Sequence, residues 1–195
     1  MLAGALGGLA ALARVNGLVL VPTLLAEAWL QWRSRGDGWR WGWLAVGLVP
    51  LGFVGYLALN QAVYGGPLAF MSIEAAKWHK TLSPPWAGIL GLLHSQLPRA
   101  WIPELGFVGL GIVGALASAI RFRPTWTVWI MGNLILFTST SFVLSVPRYS
   151  LILFPLVAWF GLLSRSRRVG GLITLASLCG LVFFAGRFAL GDWAF

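Results

Sequence analysis

Residues 170–190 have the sequence GGLITLASLCGLVFFAGRFAL, which is apolar apart from Thr174, Ser177 and one charge, Arg187. A helix needs about 20 apolar residues to cross roughly 30 Å of bilayer hydrocarbon. This stretch meets that length, and the ranges 41–60, 102–120 and 125–145 meet it with few or no charges. The sequence therefore predicts an all-α fold, a polytopic bundle of transmembrane helices.

The composition of the whole chain indicates the same class. Of its 195 residues, 58% are apolar and 10% are charged, whereas soluble domains carry roughly 25% charged residues. The net charge is +9, but the basic residues lie in short clusters between apolar runs, which is typical of topology signals. The single cysteine, Cys179, excludes an intrachain disulfide and a cysteine-based metal site. We therefore expect the membrane, and no nucleic acid, as a partner.

Two shorter apolar ranges, 17–32 and 149–163, bring the number of predicted spans to six. The first range, 2–13, would rise only about 18 Å as a helix, which is too short to cross alone. It is a half-helix, a re-entrant segment or the remainder of a longer span. We predict one transmembrane domain over residues 1–195, with a long connection at 61–101.

The orientation follows from the basic residues in the short connections. Lys and Arg accumulate in cytoplasmic loops, and three tight connections hold most of the arginines, namely Arg33, Arg35, Arg40, Arg121, Arg123, Arg165, Arg167 and Arg168. We therefore predict a multi-pass protein of the cell inner (cytoplasmic) membrane, with the connection 61–101 and the C-terminus outside. Glu27 lies close to the cytoplasmic side and is expected to pair with a nearby basic group.

The connection 61–101 contains signals for turns and short helices. Tyr64-Gly65-Gly66-Pro67 predicts a turn, and residues 69–80 predict a short helix. Ser83-Pro84-Pro85 predicts a helix start with Ser83 as its cap, followed by an interfacial helix over 86–97. Within the span 102–120, a stripe of small residues formed by Gly111, Ala115 and Ala119 predicts close helix packing.

Polar residues of the predicted spans concentrate at their outer ends. They are Arg14, Asn16, Asn60, Gln61, Thr138, Ser139, Thr140, Ser141, Ser145, Arg148 and Tyr149. Polar groups are costly in hydrocarbon unless they face protein or water, so this set predicts a wet cavity open to the outside. Arg148 and Arg14 would there contact the phosphate of an anionic lipid headgroup. The alternative is that the arginines snorkel to the interface and the hydroxyls bond to helix carbonyls.

Motifs of soluble enzymes are absent from the sequence. It contains no Gly-x-x-x-x-Gly-Lys phosphate loop, no His-Glu-x-x-His and no Cys-x-x-Cys. Its two histidines, His79 and His94, are too isolated to predict a metal site. Glu74 is the one carboxylate within a cluster of polar residues in the outer connection.

Three separated segments resemble a known family of membrane enzymes. Leu9-Ala10-Ala11-Leu12-Ala13-Arg14-Val15-Asn16-Gly17-Leu18 resembles the Arg-x-Asn-Gly segment of PIG-V-type mannosyltransferases. Tyr64-Gly65-Gly66-Pro67-Leu68-Ala69-Phe70, with Glu74 and Trp78 after it, resembles the outer loop of bacterial members. Ser145-Val146-Pro147-Arg148-Tyr149, followed by Leu153-Phe154-Pro155-Leu156, is similar to their Pro-Arg-Tyr span. The family consists of GT-C integral-membrane glycosyltransferases.

The resemblance implies transfer of a hexose, expected to be mannose, from a polyprenyl-phosphate donor to an acceptor on the extracytoplasmic face. The substrate-binding residues expected from the polar cluster and the resemblance are Arg148, Tyr149, Arg14, Asn16, Glu74, Lys77, Trp78 and His79. Glu74 stands where family members often carry a Gln. The sugar, the acceptor and any cofactor are unknown.

The sequence departs from the family at its catalytic residue. Members carry a catalytic Asp in their first extracytoplasmic loop, and no residue here matches it. We therefore expect this chain to be the C-terminal portion of a GT-C protein, with the N-terminal half encoded upstream. Two other interpretations stay open: a non-catalytic module that binds an anionic lipid or assembles with a partner membrane protein, and a small transporter. The transporter is disfavoured by the lack of an inverted repeat and of charges near the middle of any span.

Overall fold

A computed structural model describes residues 1–35, 41–94 and 101–191. These ranges contain ten α-helices: α1 (Leu2–Ala13), α2 (Leu20–Arg35), α3 (Leu48–Tyr64), α4 (Ala69–Trp78), α5 (Pro85–Leu93), α6 (Trp101–Arg121), α7 (Pro124–Thr138), α8 (Val146–Tyr149), α9 (Phe154–Leu163) and α10 (Arg167–Ala189). Three 3-10 helices connect them, at Val15–Val19, Trp41–Gly47 and Ser150–Ile152. Over the same ranges, the extended pairing is one antiparallel bridge between Leu82 and Thr140. The predicted all-α fold is confirmed.

Three helical segments are long and apolar enough to cross a membrane: Trp43–Tyr64, Ile102–Arg121 and Arg167–Ala189. The pair Val146–Ile152 and Phe154–Leu163 adds a fourth if it forms one span, although its two parts are bent by 82°. The prediction of apolar membrane helices is thus supported. Within the described residues, three or four helices are long and apolar enough to cross, whereas the hydropathy pattern predicts six spans.

Local chemistry explains where the predicted spans are interrupted. The range 125–145 is helical only to Thr138, because the backbone of residues 139–141 pairs with residues 81–83 instead of continuing the helix. The Ser141 N–H, for example, donates to the Thr81 carbonyl at 2.8 Å. The range 149–163 breaks at Leu153, and Pro155 then occupies the first turn of α9, because proline has no N–H to donate within a continuous helix. The range 17–32 begins in a 3-10 helix and continues in α2.

The first helix packs along α3 through glycines. α1 has 12 residues, as expected of a half-length helix. A Cβ atom at Gly52 of α3 would lie 1.9 Å from the carbonyl oxygen of Gly8, and one at Gly8 would lie 2.7 Å from that of Leu48. The two helix backbones are therefore in direct contact, as in the small-residue interfaces of membrane helices.

Because of this contact, Gly52→Ala is expected to destabilise the protein. The added methyl group meets backbone atoms of α1, and such overpacking costs about 1–3 kcal/mol. Thermal unfolding in detergent measures the loss as a lower melting temperature. Gly47→Ala is the matched control, since no atom lies within 4 Å of a Cβ there. Equal melting temperatures of the two variants would contradict the close contact.

The main apolar core lies between α6, α7 and α9. Its buried members are Ala115, Ile130, Leu134, Phe137, Leu153 and Leu156. Gly111 is buried against the Leu134 side chain, so the predicted packing stripe is confirmed for Gly111 and Ala115, whereas Ala119 is exposed. Glu27 of α2 forms an ion pair with Arg123 at 3.0 Å, which confirms its predicted pairing with a nearby basic group.

The outer connection folds largely as its signals predict. α4 and α5 occupy the two predicted helices, and Gly65 ends α3 in the left-handed conformation with φ of 75°. The expected capping role of Ser83 is wrong, because the cap position of α5 is Pro84 and Pro85 occupies the first turn. The end of the predicted interfacial helix, residues 95–97, lies outside the described residues.

The last helix has a different environment from the others. α10 contains no buried residue, and its main packing partner is α9. It is also the most apolar of the three candidate spans, with a mean hydropathy of 2.0 over its best window. An apolar helix with so little of its surface against protein fits lipid contact along most of its length.

Candidate functional site

A cavity of about 910 Å³ opens at the end of the bundle where α1, α3 and α7 terminate. Its walls are completed by α4, the segment after α4, and Tyr149 of α8. The polar and charged residues that line it are Arg14, Asn16, Tyr56, Asn60, Tyr64, Glu74, Lys80, Thr81, Thr140 and Tyr149. The remaining lining is largely apolar, and its volume suits a ligand of several hundred Å³.

Five of the eight residues expected to bind substrate line this one cavity. They are Arg14, Asn16, Glu74, Trp78 and Tyr149. They come from all three segments on which the family resemblance depends, although these segments are far apart in the sequence. The structure thus brings the three segments together, while the binding role of each residue stays a prediction.

The other three expected residues do not line the cavity. Lys77 is exposed in the last turn of α4, and His79 is exposed just after that helix, with φ of 53°. Arg148 is also exposed, and its guanidinium group lies 5.3 Å from the centre of the Tyr149 ring. Arg148 therefore contacts a lining residue without being one itself.

The N-terminal wall depends on the break between α1 and the following 3-10 helix. Arg14 has extended backbone angles, φ −155° and ψ 142°, and its N–H caps α1 by donating to the Ala10 carbonyl at 3.0 Å. The chain then turns at once into Val15–Val19. Because the break lies at the end of α1, the side chains of Arg14 and Asn16 reach the cavity.

A pair of amides connects this wall to α7. The Asn16 side-chain N–H donates to the Asn133 side-chain oxygen at 3.4 Å. Asn133 is fully buried and donates in turn to the Trp129 carbonyl at 2.9 Å. Sequence reasoning missed Asn133, although a single amide inside an apolar helix is itself a signal of a specific contact.

The charged groups of the cavity differ in how they are held. Within residues 1–35, 41–94 and 101–191, the side chains of Arg14 and Glu74 make no hydrogen bond or ion pair with protein. Lys80 donates to the Leu144 carbonyl at 3.4 Å and lies 5.6 Å from the centre of the Phe142 ring. Arg14 and Glu74 can therefore bind a ligand without first breaking a protein contact.

The segment that carries the hydroxyl cluster predicted to line the cavity holds the outer connection in place through its backbone. The Ser141 N–H donates to the Thr81 carbonyl at 2.8 Å, and the Ser83 N–H donates to the Ser139 carbonyl at 3.2 Å. Of the five hydroxyl residues between 138 and 145, Thr140 alone lines the cavity. These bonds fix Lys80 and Thr81 at the cavity wall, because they join that segment to the end of α7.

A buried carboxylate that sequence reasoning gave no role lies behind this wall. Glu104 of α6 is completely buried, and its two oxygens accept the backbone N–H groups of Ser145 and Val146, each at 2.7 Å. Ser145 adopts a left-handed conformation with φ of 69°, just before the short helix α8. Recognising this contact from sequence would require knowing that α6 and α8 are neighbours.

The described part of the chain holds no group of three or more His, Cys, Asp or Glu residues that could bind a metal ion. The side chains that line the cavity supply two cations, one carboxylate, amides, hydroxyls and aromatic rings. Comparison with family models, with curated proteins and with solved structures finds no match to this chain.

Proposed function

We propose that this chain binds a polyprenyl-phosphate-linked hexose in the cavity, as part of a GT-C glycosyltransferase of the PIG-V type. The observation that carries the proposal is the convergence of three family-like segments on one cavity, through Arg14, Glu74, Trp78 and Tyr149. Each segment alone is a weak match, since apolar helices resemble one another. Independent segments that share one cavity support the resemblance better than any single match does.

The walls of the cavity suit an amphiphilic ligand with an anionic head. Leu12, Leu59, Val63 and Leu136 provide apolar surface for a prenyl chain. Arg14 and Lys80 supply cations for the phosphate, because ionised donors form the strongest hydrogen bonds to phosphate oxygens.

In the proposed reaction, an acceptor hydroxyl oxygen attacks the anomeric carbon of the sugar. The bond from that carbon to the phosphate oxygen breaks, and the prenyl phosphate leaves with the electron pair. Positioned cations stabilise the developing negative charge, which is the role proposed for Arg14 and Lys80. The hydroxyl proton passes to a general base, which the resemblance places on an Asp outside the matching segments.

The proposal places the cavity on the extracytoplasmic face of the inner membrane in a multi-pass chain. The cavity is lined by the last turns of α1, α3 and α7. Arg33 lies near the end of α2, and Arg121 and Arg123 lie around the turn before α7, at the opposite end of that helix. Since arginine-rich turns favour the cytoplasm, the cavity end is assigned to the outside.

A binding and transfer experiment tests this proposal. The protein in lipid nanodiscs is titrated with a radiolabelled, short-chain prenyl-phosphate mannose, and transfer to added glycan acceptors is then followed in membranes. Leu59→Trp should fill the cavity and weaken binding at least about tenfold, as expected from steric exclusion of a well-fitted apolar group. Leu51→Trp is the matched control, since Leu51 is an exposed residue of the same helix outside the cavity. Absence of saturable binding would contradict the proposal.

One observation favours a second candidate, a non-catalytic module that binds an anionic lipid. Of the carboxylates in the described ranges, Glu27 is paired with Arg123 and Glu104 is held by backbone N–H groups, which leaves Glu74 alone at the cavity. This module would bind phosphatidylglycerol as tightly as the sugar donor and would show no transfer. Preference for the sugar-bearing ligand excludes it.

A further inference from the structure

The short helix α8 is held at its N-terminus by a residue from another helix. Its cap residue, Ser145, makes no side-chain capping bond, so the first N–H groups of the helix lack a local acceptor. Glu104, on α6, supplies one carboxylate oxygen to the Ser145 N–H and the other to the Val146 N–H. The bonded residues are 41 and 42 positions apart in the chain, so this is a tertiary contact.

A buried carboxylate lowers the stability of the fold unless its oxygens accept hydrogen bonds. A buried carboxylate loses its hydration, and this loss must be offset by hydrogen bonds and nearby positive charge. Here Glu104 accepts two backbone N–H bonds of 2.7 Å, one on each carboxylate oxygen. The geometry of α8 is therefore tied closely to the position of Glu104.

The contact leads directly to the cavity wall. α8 has four residues, and the last of them, Tyr149, lines the cavity. The Tyr149 ring packs on Phe137, another lining residue, with 5.3 Å between ring centres. Lys80 also lines the cavity and donates to the Leu144 carbonyl, which belongs to the same peptide group as the Ser145 N–H that Glu104 accepts.

We infer that Glu104 is a positioning residue of the cavity: it fixes α8 and Lys80 so that Tyr149 and the Lys80 ammonium group lie at the ligand. The inference rests on the proposed function for the identity of that ligand. The contact itself, between a carboxylate and the N-terminus of α8, does not depend on it. Glu104 does not line the cavity, so its effect on a ligand is transmitted through α8 and Lys80.

Cysteine accessibility tests the positioning role without any ligand. Cys179 is the chain's single cysteine, so Cys179→Ser gives a cysteine-free background. Ser150→Cys then reports on the buried residue next to α8, and Ser118→Cys reports on a buried position of α6 that lies 14 residues beyond Glu104. The reaction of each introduced cysteine with N-ethylmaleimide is timed in detergent, first with Glu104 unchanged and then in combination with Glu104→Gln or Glu104→Ala.

If Glu104 positions α8, Glu104→Ala accelerates the reaction at Ser150→Cys by about tenfold or more, the usual consequence of losing buried hydrogen bonds. The reaction at Ser118→Cys keeps its rate. Glu104→Gln, which retains one carbonyl acceptor, gives an intermediate rate at Ser150→Cys. An unchanged rate at Ser150→Cys overturns the inference, because Glu104 then does not hold α8 in place. Equal acceleration at both positions also overturns it, because it indicates general unfolding.

The same variants are titrated with the short-chain prenyl-phosphate mannose. The inference expects Glu104→Ala to weaken binding about tenfold, with partial recovery in Glu104→Gln. Unchanged affinity alongside an accelerated Ser150→Cys reaction overturns the positioning role. Failure of the unaltered protein to bind the donor instead contradicts the proposed function, and the cysteine rates then still decide whether Glu104 anchors α8.

Discussion

Arg14→Ala is expected to weaken binding of a prenyl-phosphate-linked sugar by about 10- to 100-fold, because a hydrogen bond to a charged group contributes roughly 1.5–3 kcal/mol. Arg14 lines the cavity and has no ion-pair partner within the described ranges, so its loss leaves the protein's own contacts intact. The melting temperature should therefore change little. Equilibrium binding of a radiolabelled short-chain donor to protein in nanodiscs measures the effect.

Two further variants sharpen this prediction. Arg14→Lys keeps the charge but loses the planar fork that fits phosphate, so it should recover part of the affinity. Arg33→Ala removes the same charge from an exposed position of α2 outside the cavity and should bind the donor normally. If Arg14→Ala and Arg33→Ala bind equally well, Arg14 does not contact the phosphate.

Gly88→Ala is expected to lower the stability of the protein by about 3 kcal/mol, at the upper end of overpacking costs. A Cβ atom at Gly88 would lie 2.3 Å from the Thr138 carbonyl oxygen and 2.5 Å from that of Thr140. Both atoms belong to backbone that is fastened to the outer connection, so neither can move away cheaply. Thermal unfolding in detergent measures the loss, and donor binding should fall with it because Thr140 lines the cavity.

Gly106→Ala provides the comparison for this variant. Gly106 lies within α6, and no atom lies within 4 Å of a Cβ built there. Alanine is the better helix former by roughly 0.5–1 kcal/mol, so this variant should melt at the same or a higher temperature. A similar decrease in both variants would show that α5 does not rest on the 138–140 backbone.

The sequence predicts local elements well because their signals are local. Gly65 ends α3 in the left-handed conformation, and Pro85 occupies the first turn of α5, as the dihedral preferences of these residues require. The number of spans is less predictable, since hydropathy averages over positions where a helix stops. Two helices are interrupted in this way, at the hydroxyl-rich segment after Thr138 and at the bend before Pro155. Neither interruption lowers the mean hydropathy of its apolar run enough to be recognised in the sequence.

The outer connection illustrates the limit for site residues. Lys77, His79 and Lys80 are close in sequence and all could contact a phosphate, but Lys80 alone lines the cavity. The selection is made by the end of α4 at Trp78 and the left-handed backbone of His79, which turn the chain toward the Ser139–Ser141 backbone. The amino-acid composition of the connection does not predict this turn.

Long-range contacts could not be predicted for a similar reason. Asn16 bonds to Asn133 across 117 positions, and Glu104 bonds to Val146 across 42. In the sequence, Asn133 and Glu104 are isolated polar groups in apolar runs. Their importance depends on which helices are neighbours, and that is a property of the folded chain.

The environment of α10 gives its cysteine a practical use. Cys179 is exposed on a helix that has no buried residue, and it is the chain's single thiol. A fluorophore coupled there would sense acyl chains, while the core between α6, α7 and α9 stays unlabelled. Emission from this label can thus follow bilayer insertion at α10, separately from the tryptophan fluorescence of the rest of the chain.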